Sequence, residues 1–114
     1  DDGPPKEDGL WIRAAGVSQF VRFDEIDWIA AAGDYAEVHA GHRSMLTDSS
    51  LASLAEQLPQ EEFTRIHRGS IVRLDRVREV RGIGRGDASL FLHNGQALRL
   101  SRRYREKLAV HLPL

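Results

Sequence analysis

Apolar residues in this chain fall into short runs that alternate with polar residues and stop at turn-forming residues. The clearest run is residues 35–40, where Ala and Val occupy every second position. Since successive side chains of a strand point to opposite faces, this run predicts a strand that carries Tyr35, Glu37 and His39 on one face. Comparable runs cover residues 10–14, 20–23, 26–32 and 43–47. Many short strands separated by turns predict a mainly β fold with one or two short helices.

The pattern predicts two helices among these strands. The first is expected to begin at an N-cap, Asp48 or Ser49, and to end before Pro59. Its apolar stripe consists of Leu51, Leu54, Ala55 and Leu58. The second is expected over residues 101–112, with Ser101 as the N-cap. Its buried stripe consists of Tyr104, Leu108 and Leu112, which repeat every four residues.

Two later segments predict turns, and one predicts a loop. Asn94-Gly95 lies between the runs at residues 88–92 and 97–100, which indicates a hairpin with a type I′ turn. The glycine-rich residues 82–86 predict a second hairpin tip. Residues 63–74 have apolar side chains spaced three and five apart, which fits neither a strand nor a helix. We therefore expect an ordered loop with at most one helical turn there, in a position suited to binding.

The first nine residues differ in composition from the remainder. They contain four acidic residues, two prolines and two glycines but no apolar residue, which predicts a flexible linker or tail. One domain is then expected over residues 10–114. Because the chain does not begin with Met, we expect it to be the last part of a longer protein.

The composition also excludes several classes of protein. The chain has no cysteine, which excludes disulfide frameworks, thiolate zinc sites and thiol catalysis. Its apolar runs are far shorter than the roughly 20 residues of a membrane-spanning helix, and no signal-peptide pattern opens it. We therefore expect a cytoplasmic domain that makes no membrane contact.

Charge is divided unevenly along the chain, although the net charge is only −1. Residues 1–62 carry four basic and thirteen acidic side chains, a balance of −9. Residues 63–114 carry twelve basic and four acidic side chains, a balance of +8. Two interpretations remain open: the basic half faces an anionic partner, or it neutralises the acidic half.

Arginine supplies most of this positive charge, with seven arginines between residues 65 and 85. Its planar guanidinium suits bidentate contact with phosphate or guanine. Arg102 and Arg103 also fall in the first turn of the second predicted helix, where the helix dipole makes each cation cost about 0.3–1 kcal/mol. An anion held at the free backbone N–H groups of that turn would relieve this cost.

The patterns that could indicate catalysis are weak. Glu37, His39 and His42 have the spacing E-x-H-x-x-H, but a glycine turn precedes His42 and no further ligand cluster completes a metal site. The glycines at residues 82–86 lack the spacing of a nucleotide-binding loop. Ser70 and His67 are close in sequence, but no third group is placed to orient a base. We expect no enzyme activity, no metal and no cofactor.

Three segments carry a resemblance to a known family. They are IDWIAAAGDY at residues 26–35, FTRIHRGSIVR at residues 63–73 and LSRRY at residues 100–104, with a Ser-Leu helix at residues 50–58 before the second. Together they resemble the LytTR-type (LytR/AlgR-type) DNA-binding domain of bacterial response regulators. The resemblance implies an elongated, mainly β fold of short antiparallel sheets. It also implies binding of double-stranded DNA through loops inserted in the major groove, as the output domain of a transcriptional regulator.

The resemblance also assigns residues to DNA contacts. Base contacts map to Tyr35, Glu37, His67, Arg68 and Arg102. By hypothesis, phosphate contacts come from Arg65, Ser70, Arg73 and Arg103. Ser101 is also expected among the DNA-contacting residues. Two positions depart from the family pattern: Gly69 replaces a serine, and Arg73 replaces an asparagine. These departures leave the base preference open.

Partners follow from the same resemblance. We expect two repeated half-sites on the DNA, a second copy of the regulator beside this one, and an upstream receiver or sensor domain. An alternative is a β-rich protein-interaction module whose basic half docks an acidic partner. A metal-dependent enzyme that uses Glu37, His39 and His42 is a third possibility.

Overall fold

Ten short strands and two helices form residues 8–114, the part of the chain that a computed structural model describes. The strands are β1 (Gly9–Ala14), β2 (Val17–Arg22), β3 (Trp28–Ala32), β4 (Tyr35–Ala40), β5 (Arg43–Thr47), β6 (Phe63–His67), β7 (Ser70–Arg73), β8 (Val77–Gly84), β9 (Asp87–Leu92) and β10 (Ala97–Leu100). The helices are α1 (Leu51–Gln57) and α2 (Arg102–Ala109). Most of the predicted linker lies outside the described residues. Its last residue, Gly9, already pairs with Arg22 in β1 and β2.

The strands form three antiparallel sheets. β1 and β2 form a hairpin, β10-β9-β8 form a three-stranded sheet, and β5-β4-β3-β7-β6 form a five-stranded sheet. The molecule measures 45 × 33 × 24 Å along its principal axes. This architecture confirms the prediction of an elongated, mainly β fold with two short helices. Neither α1 nor α2, the helices of residues 8–114, is long and apolar enough to cross a bilayer.

The five-stranded sheet separates two hydrophobic cores. On one face, Ile29 and Ile71 pack with Leu54 of α1 and with the β1–β2 hairpin. On the other face, Val72 packs with the three-stranded sheet and with Leu108 of α2. β6 and β7 are therefore covered on both faces, which gives the turn between them a rigid support.

The prediction of a loop over residues 63–74 is wrong. The structure has strands β6 and β7 there, followed by a 3-10 turn at Leu74–Arg76. Phe63 faces the first core and Ile66 the second, while the adjacent residues Ile71 and Val72 are buried on opposite faces. A bulge between Arg65 and His67 shifts the register further. Because both faces are buried, the apolar and polar residues do not alternate.

Both helices occur where the pattern predicts them, but their ends differ. The N-cap of α1 is Ser50, whose Oγ accepts a hydrogen bond from the Ser53 amide at 3.1 Å, so the predicted N-caps Asp48 and Ser49 are wrong. α2 follows Ser101 as predicted and ends at Ala109. Leu112 lies beyond the helix but still packs against the second core.

The two predicted hairpins form, although one turn type differs. The β8–β9 tip contains Arg85 and Gly86, at φ of 55° and 86°. In the β9–β10 loop only Gly95 has positive φ, at 92°, so the predicted type I′ turn is wrong. Asn94 instead accepts a hydrogen bond from the Gln96 amide through Oδ1, at 2.9 Å.

Candidate nucleic-acid interface

The β3–β4 turn presents the first predicted segment. Tyr35 begins β4 opposite Ala32, and its side chain is 49% exposed. Glu37 follows on the same face and is partly exposed, whereas Ala36 and Val38 are buried beneath it. The predicted alternation of β4 is confirmed, so Tyr35 and Glu37 are both directed away from the first core.

Four hydrogen bonds fix the β6–β7 turn, which presents the second segment. The Gly69 amide donates to His67 Nδ1 at 3.1 Å, and the Gly69 carbonyl accepts from the Ala31 amide at 2.9 Å. Arg65 donates through Nη2 to the Arg68 carbonyl at 2.6 Å and through Nε to the His67 carbonyl at 3.3 Å. Since Nδ1 of His67 accepts, the neutral ring carries its proton on Nε2, which is the donor left for a ligand. The Arg68 side chain is exposed at this turn.

The start of α2 presents the third segment. The Ser101 amide donates to the Ile66 carbonyl at 2.9 Å, which holds the start of α2 against the end of β6 that leads into the β6–β7 turn. Arg102 and Arg103 are both exposed. Ser101 is the N-cap by backbone geometry, and within residues 8–114 its hydroxyl makes no capping hydrogen bond.

Asp87 supplies the anion that the sequence predicts at the start of α2. Its Oδ1 accepts from the Arg102 amide at 2.8 Å, and its Oδ2 accepts from Arg99 Nη2 at 3.1 Å. The backbone hydrogen bond from Arg102 is the largest influence on this carboxyl, and with the Arg99 contact it holds the pKa of Asp87 below its ordinary value. The chain itself therefore relieves the dipole cost of the two arginines.

These three segments meet at one edge of the molecule. The bond from Ala31 to Gly69 joins the β3–β4 end to the β6–β7 turn, and the bond from Ser101 to Ile66 joins that turn to α2. Ala30 of β3 pairs with Glu37 of β4 on one side and with Ser70 of β7 on the other, so Glu37 and Ser70 lie in one row across the sheet. We call this surface the loop edge; it consists of Tyr35, Glu37, His67, Arg68, Ser70, Ser101, Arg102 and Arg103.

Arg73 is the predicted contact residue that the structure does not bring to the loop edge. It lies at the opposite end of β7, and its side chain is 11% exposed. Nη1 donates to the Phe23 carbonyl at 2.8 Å and to Glu62 Oε1 at 3.2 Å, while Nε donates to Asp75 Oδ1 at 2.9 Å. The predicted phosphate contact is therefore not supported, because this guanidinium is buried and bound within the fold.

The other arginines of residues 65–85 are also divided among different surroundings. Arg76 Nε donates to Asp27 Oδ1 at 2.7 Å, and Arg81 pairs with Glu79. Arg65 is bound to the backbone of the β6–β7 turn. Several of the seven arginines are thus bound within the fold and do not join a single basic surface. Arg68 is exposed at the loop edge, and Arg85 is exposed at the β8–β9 tip.

The histidine pattern of β4 does not build a metal site. His39 stacks on Trp28 with ring centroids 4.1 Å apart, and its Nε2 lies 3.3 Å from Glu37 Oε1. His42 is exposed in the turn after β4. Within residues 8–114, no three side chains of the ligating types lie close enough together to hold a metal ion.

Sequence reasoning missed Gly86 and Asp87, which both contact Arg102. The cations at the start of α2 indicated that an anion was needed. They did not indicate that the chain supplies it, because Asp87 lies fifteen residues earlier.

Comparisons with known proteins agree with this fold. The family model of the LytTr DNA-binding domain matches residues 17–112. A search of curated proteins found no match. Among solved structures, the LytTr DNA-binding domain of a Bacillus cereus protein described as a methyl-accepting/DNA response regulator is similar, with a TM-score of 0.82 and 20% identity. The match covers 94% of this chain and 98% of that one. The resemblance predicted from the three segments is confirmed, and the chain belongs to the LytTR family of DNA-binding domains.

Proposed function

We propose that this chain binds double-stranded DNA with sequence specificity by inserting its loop edge into the major groove. It would act in the cytoplasm as the output domain of a bacterial transcriptional regulator. The observation that carries the proposal is the convergence of three segments on that edge, held by the bonds from Ala31 to Gly69 and from Ser101 to Ile66. A rigid edge of this kind holds its donors in fixed positions relative to base edges.

Arg68 and Arg102 are assigned to base recognition. Both are exposed, and each guanidinium can donate two parallel hydrogen bonds to O6 and N7 of guanine. His67 assists through Nε2, the donor left free by the bond between Nδ1 and the Gly69 amide. Tyr35 assists through its exposed hydroxyl. Glu37 is suited to accept a hydrogen bond from the amino group of cytosine.

Ser70, Ser101 and Arg103 are assigned to phosphates, where they set the position of the domain on the duplex. Arg65 has a supporting role here in place of the phosphate contact expected from the sequence. Its Nε and Nη2 atoms donate to carbonyls of the β6–β7 turn, so it supports Arg68 and His67.

The partners are part of the same proposal. The loop edge presents few base-reading side chains, so one domain reads a short site. A second copy on a repeated half-site would extend the sequence that is read and raise the avidity. An upstream receiver or sensor domain would bring the two copies together.

Fluorescence anisotropy with pooled duplex DNA at several salt concentrations tests the binding. The affinity should fall steeply with salt, with a log–log slope of about −0.9 for each phosphate contacted. If the chain binds no duplex even at low salt, the alternative of an interaction module for an acidic partner is favoured and the proposal fails.

The division of roles is tested with two neighbouring arginines. On a duplex selected from a random pool, Arg102→Ala should cost about 1–3 kcal/mol and relax the preference at one base pair. Arg103→Ala should weaken binding to the selected and scrambled duplexes alike. Equal losses on both duplexes for both variants would show that neither arginine reads bases.

A further inference from the structure

The tip of the β8–β9 hairpin lies directly against the side chain of Arg102. A Cβ atom built on Gly86 would be 2.5 Å from Arg102 Cδ and 2.6 Å from Cγ. Carbon atoms that are not bonded to each other do not approach so closely, so the Arg102 side chain would have to move. The aliphatic part of Arg102 therefore lies against the hairpin tip, where a side chain on residue 86 would displace it. Gly86 also has φ of 86°, which favours glycine at this position.

Asp87, the next residue, fixes the backbone from which the same side chain extends. Its Oδ1 accepts from the Arg102 amide at 2.8 Å, while Oδ2 accepts from Arg99 at 3.1 Å. Arg105 in turn donates through Nη1 to the Gly86 carbonyl at 3.3 Å. Backbone, side chain and first helical turn are thus all held against the hairpin tip.

We propose that the β8–β9 tip, through Gly86 and Asp87, sets the position of the Arg102 guanidinium and so determines sequence specificity. This inference rests on the proposed function, in which Arg102 reads a base. The tip lies outside the three segments assigned to DNA contact, so Gly86 and Asp87 act as positioning residues. Neither needs to touch DNA.

The physical reason is preorganisation. A free arginine side chain has many rotamers, and it loses most of this freedom when it binds a base edge. Contact with the backbone at Gly86 restricts the side chain before DNA arrives, which lowers the entropy lost on binding. The Asp87 carboxylate keeps the first turn of α2 in place beneath two cations that oppose the helix dipole.

Gly86→Ala is the direct test, because the added methyl group must displace the flexible side chain of Arg102. The measurement is the ratio of affinities for a duplex selected from a random pool and for its scrambled version. We expect the ratio to fall about tenfold, within the range of one lost base contact. Gly95→Ala is the matched control: Gly95 has a similar φ of 92°, but a Cβ there meets nothing within 4 Å. That variant should leave the ratio unchanged.

A double-mutant cycle shows whether Gly86 acts through Arg102. In an Arg102→Ala background, Gly86→Ala should have no further effect on the ratio, since the side chain it displaces is already gone. An equal loss in both backgrounds would overturn the proposal.

Asp87 gives a second test that does not depend on Gly86→Ala folding. Asp87→Asn keeps an oxygen that can accept from the Arg102 amide but loses the acceptor for Arg99, so it should lower the ratio less than Asp87→Ala does. If Asp87→Ala retains the ratio and thermal unfolding shows a folded chain, the inference fails. If the wild-type chain prefers no duplex, or if Arg102→Ala leaves the wild-type ratio unchanged, the proposed function fails with it.

Discussion

Arg68 and Arg73 are five residues apart, yet their surroundings give them different tasks. Arg68 is exposed in the β6–β7 turn, where its charge is available to a ligand. Arg73 is bonded to the Phe23 carbonyl and to the carboxylates of Glu62 and Asp75. A buried charge with several bonds contributes to stability only while all its partners remain in place.

Substitution of these two arginines should therefore affect different properties: stability for Arg73 and DNA affinity for Arg68. Arg73→Ala removes charged hydrogen bonds from a nearly buried site, and we expect it to lower the free energy of unfolding by about 1.5–3 kcal/mol. The DNA affinity of the folded variant should be unchanged. Arg68→Ala is the control: it should weaken DNA binding and leave the midpoint of unfolding by urea unchanged. Weaker DNA binding by Arg73→Ala at unchanged stability would contradict the assignment.

Gly69 offers a gain-of-affinity prediction. A Cβ atom at Gly69 would lie 3.6 Å from His67 Nδ1 and 3.8 Å from Ala31 Cβ, which are ordinary contacts. Gly69→Ser should therefore fold normally and add a hydroxyl that can bind phosphate, which strengthens DNA binding by about 1 kcal/mol. Gly69→Ala is the control, because it changes the backbone flexibility in the same way but adds no hydroxyl. It should not raise the affinity in an anisotropy titration. An equal gain for both variants would rule out the phosphate contact.

Asp75 predicts how stability depends on pH. Burial opposes its charged form, but hydrogen bonds and charges from Arg73 and Arg76 outweigh this effect and lower the pKa of Asp75. Because the pKa of Asp75 is lower in the folded state than its ordinary value of about 3.9, the charged carboxylate stabilises the fold above that pH. This contribution to stability is lost as the pH falls through the lower, folded-state pKa.

The comparison with Asp75→Asn measures this contribution. Urea unfolding should show the wild-type chain more stable than the variant at about pH 6, and the difference should shrink towards about pH 3. A difference that is the same at both pH values would mean that Asp75 does not titrate with this linkage.

At the scale of elements, β6 and β7 support the loop edge because they lie between two cores. Ile66 is buried in the second core and Ile71 in the first, so the turn between them is fixed from both faces.

The burial of Ile66 and Ile71 predicts large effects of their substitution on stability. Ile66→Ala and Ile71→Ala should each lower the free energy of unfolding by about 2–5 kcal/mol, the cost of a cavity in a packed core. Ile83→Ala is the control: its side chain is 59% exposed at the end of β8, and the change should stay within about 0.5 kcal/mol. Small effects at Ile66 and Ile71 in chemical denaturation would contradict the packing of β6 and β7 between two cores.

Local patterns predicted most of the elements and three segments of the site. The alternation in β4, the N-cap Ser101 and the hairpin tip at residues 82–86 depend on neighbouring residues, so the sequence indicates them directly. The strands β6 and β7 were missed because burial on both faces removes the alternation that marks a strand.

The surroundings of Arg73 and Arg102 could not be predicted, because they depend on contacts between residues far apart in the sequence. Two of the three partners of Arg73 lie 11 and 50 residues away in the sequence, and Asp87 lies 15 residues from Arg102. Nothing in the spacing of these residues distinguishes an arginine bound within the fold from one exposed at the loop edge.

At the scale of the whole molecule, the uneven charge has two roles. Arg76 pairs with Asp27 and Arg73 with Glu62, so part of the basic half does neutralise the acidic half. Arg68, Arg102 and Arg103 remain exposed at the loop edge. A net charge of −1 is therefore compatible with DNA binding, because the charge that matters is local.

The most direct test of the loop edge is an NMR titration of the isotope-labelled chain with a duplex selected from a random pool. Amide shifts should change at residues 33–37, 67–70 and 101–103, where the three segments meet. The amides of His42, in the turn at the other end of β4, and of Val110, beyond the end of α2, should change little. Changes centred on the β1–β2 hairpin or on the C-terminal end of α2, with residues 67–70 and 101–103 unaffected, would contradict the proposal that this edge binds DNA.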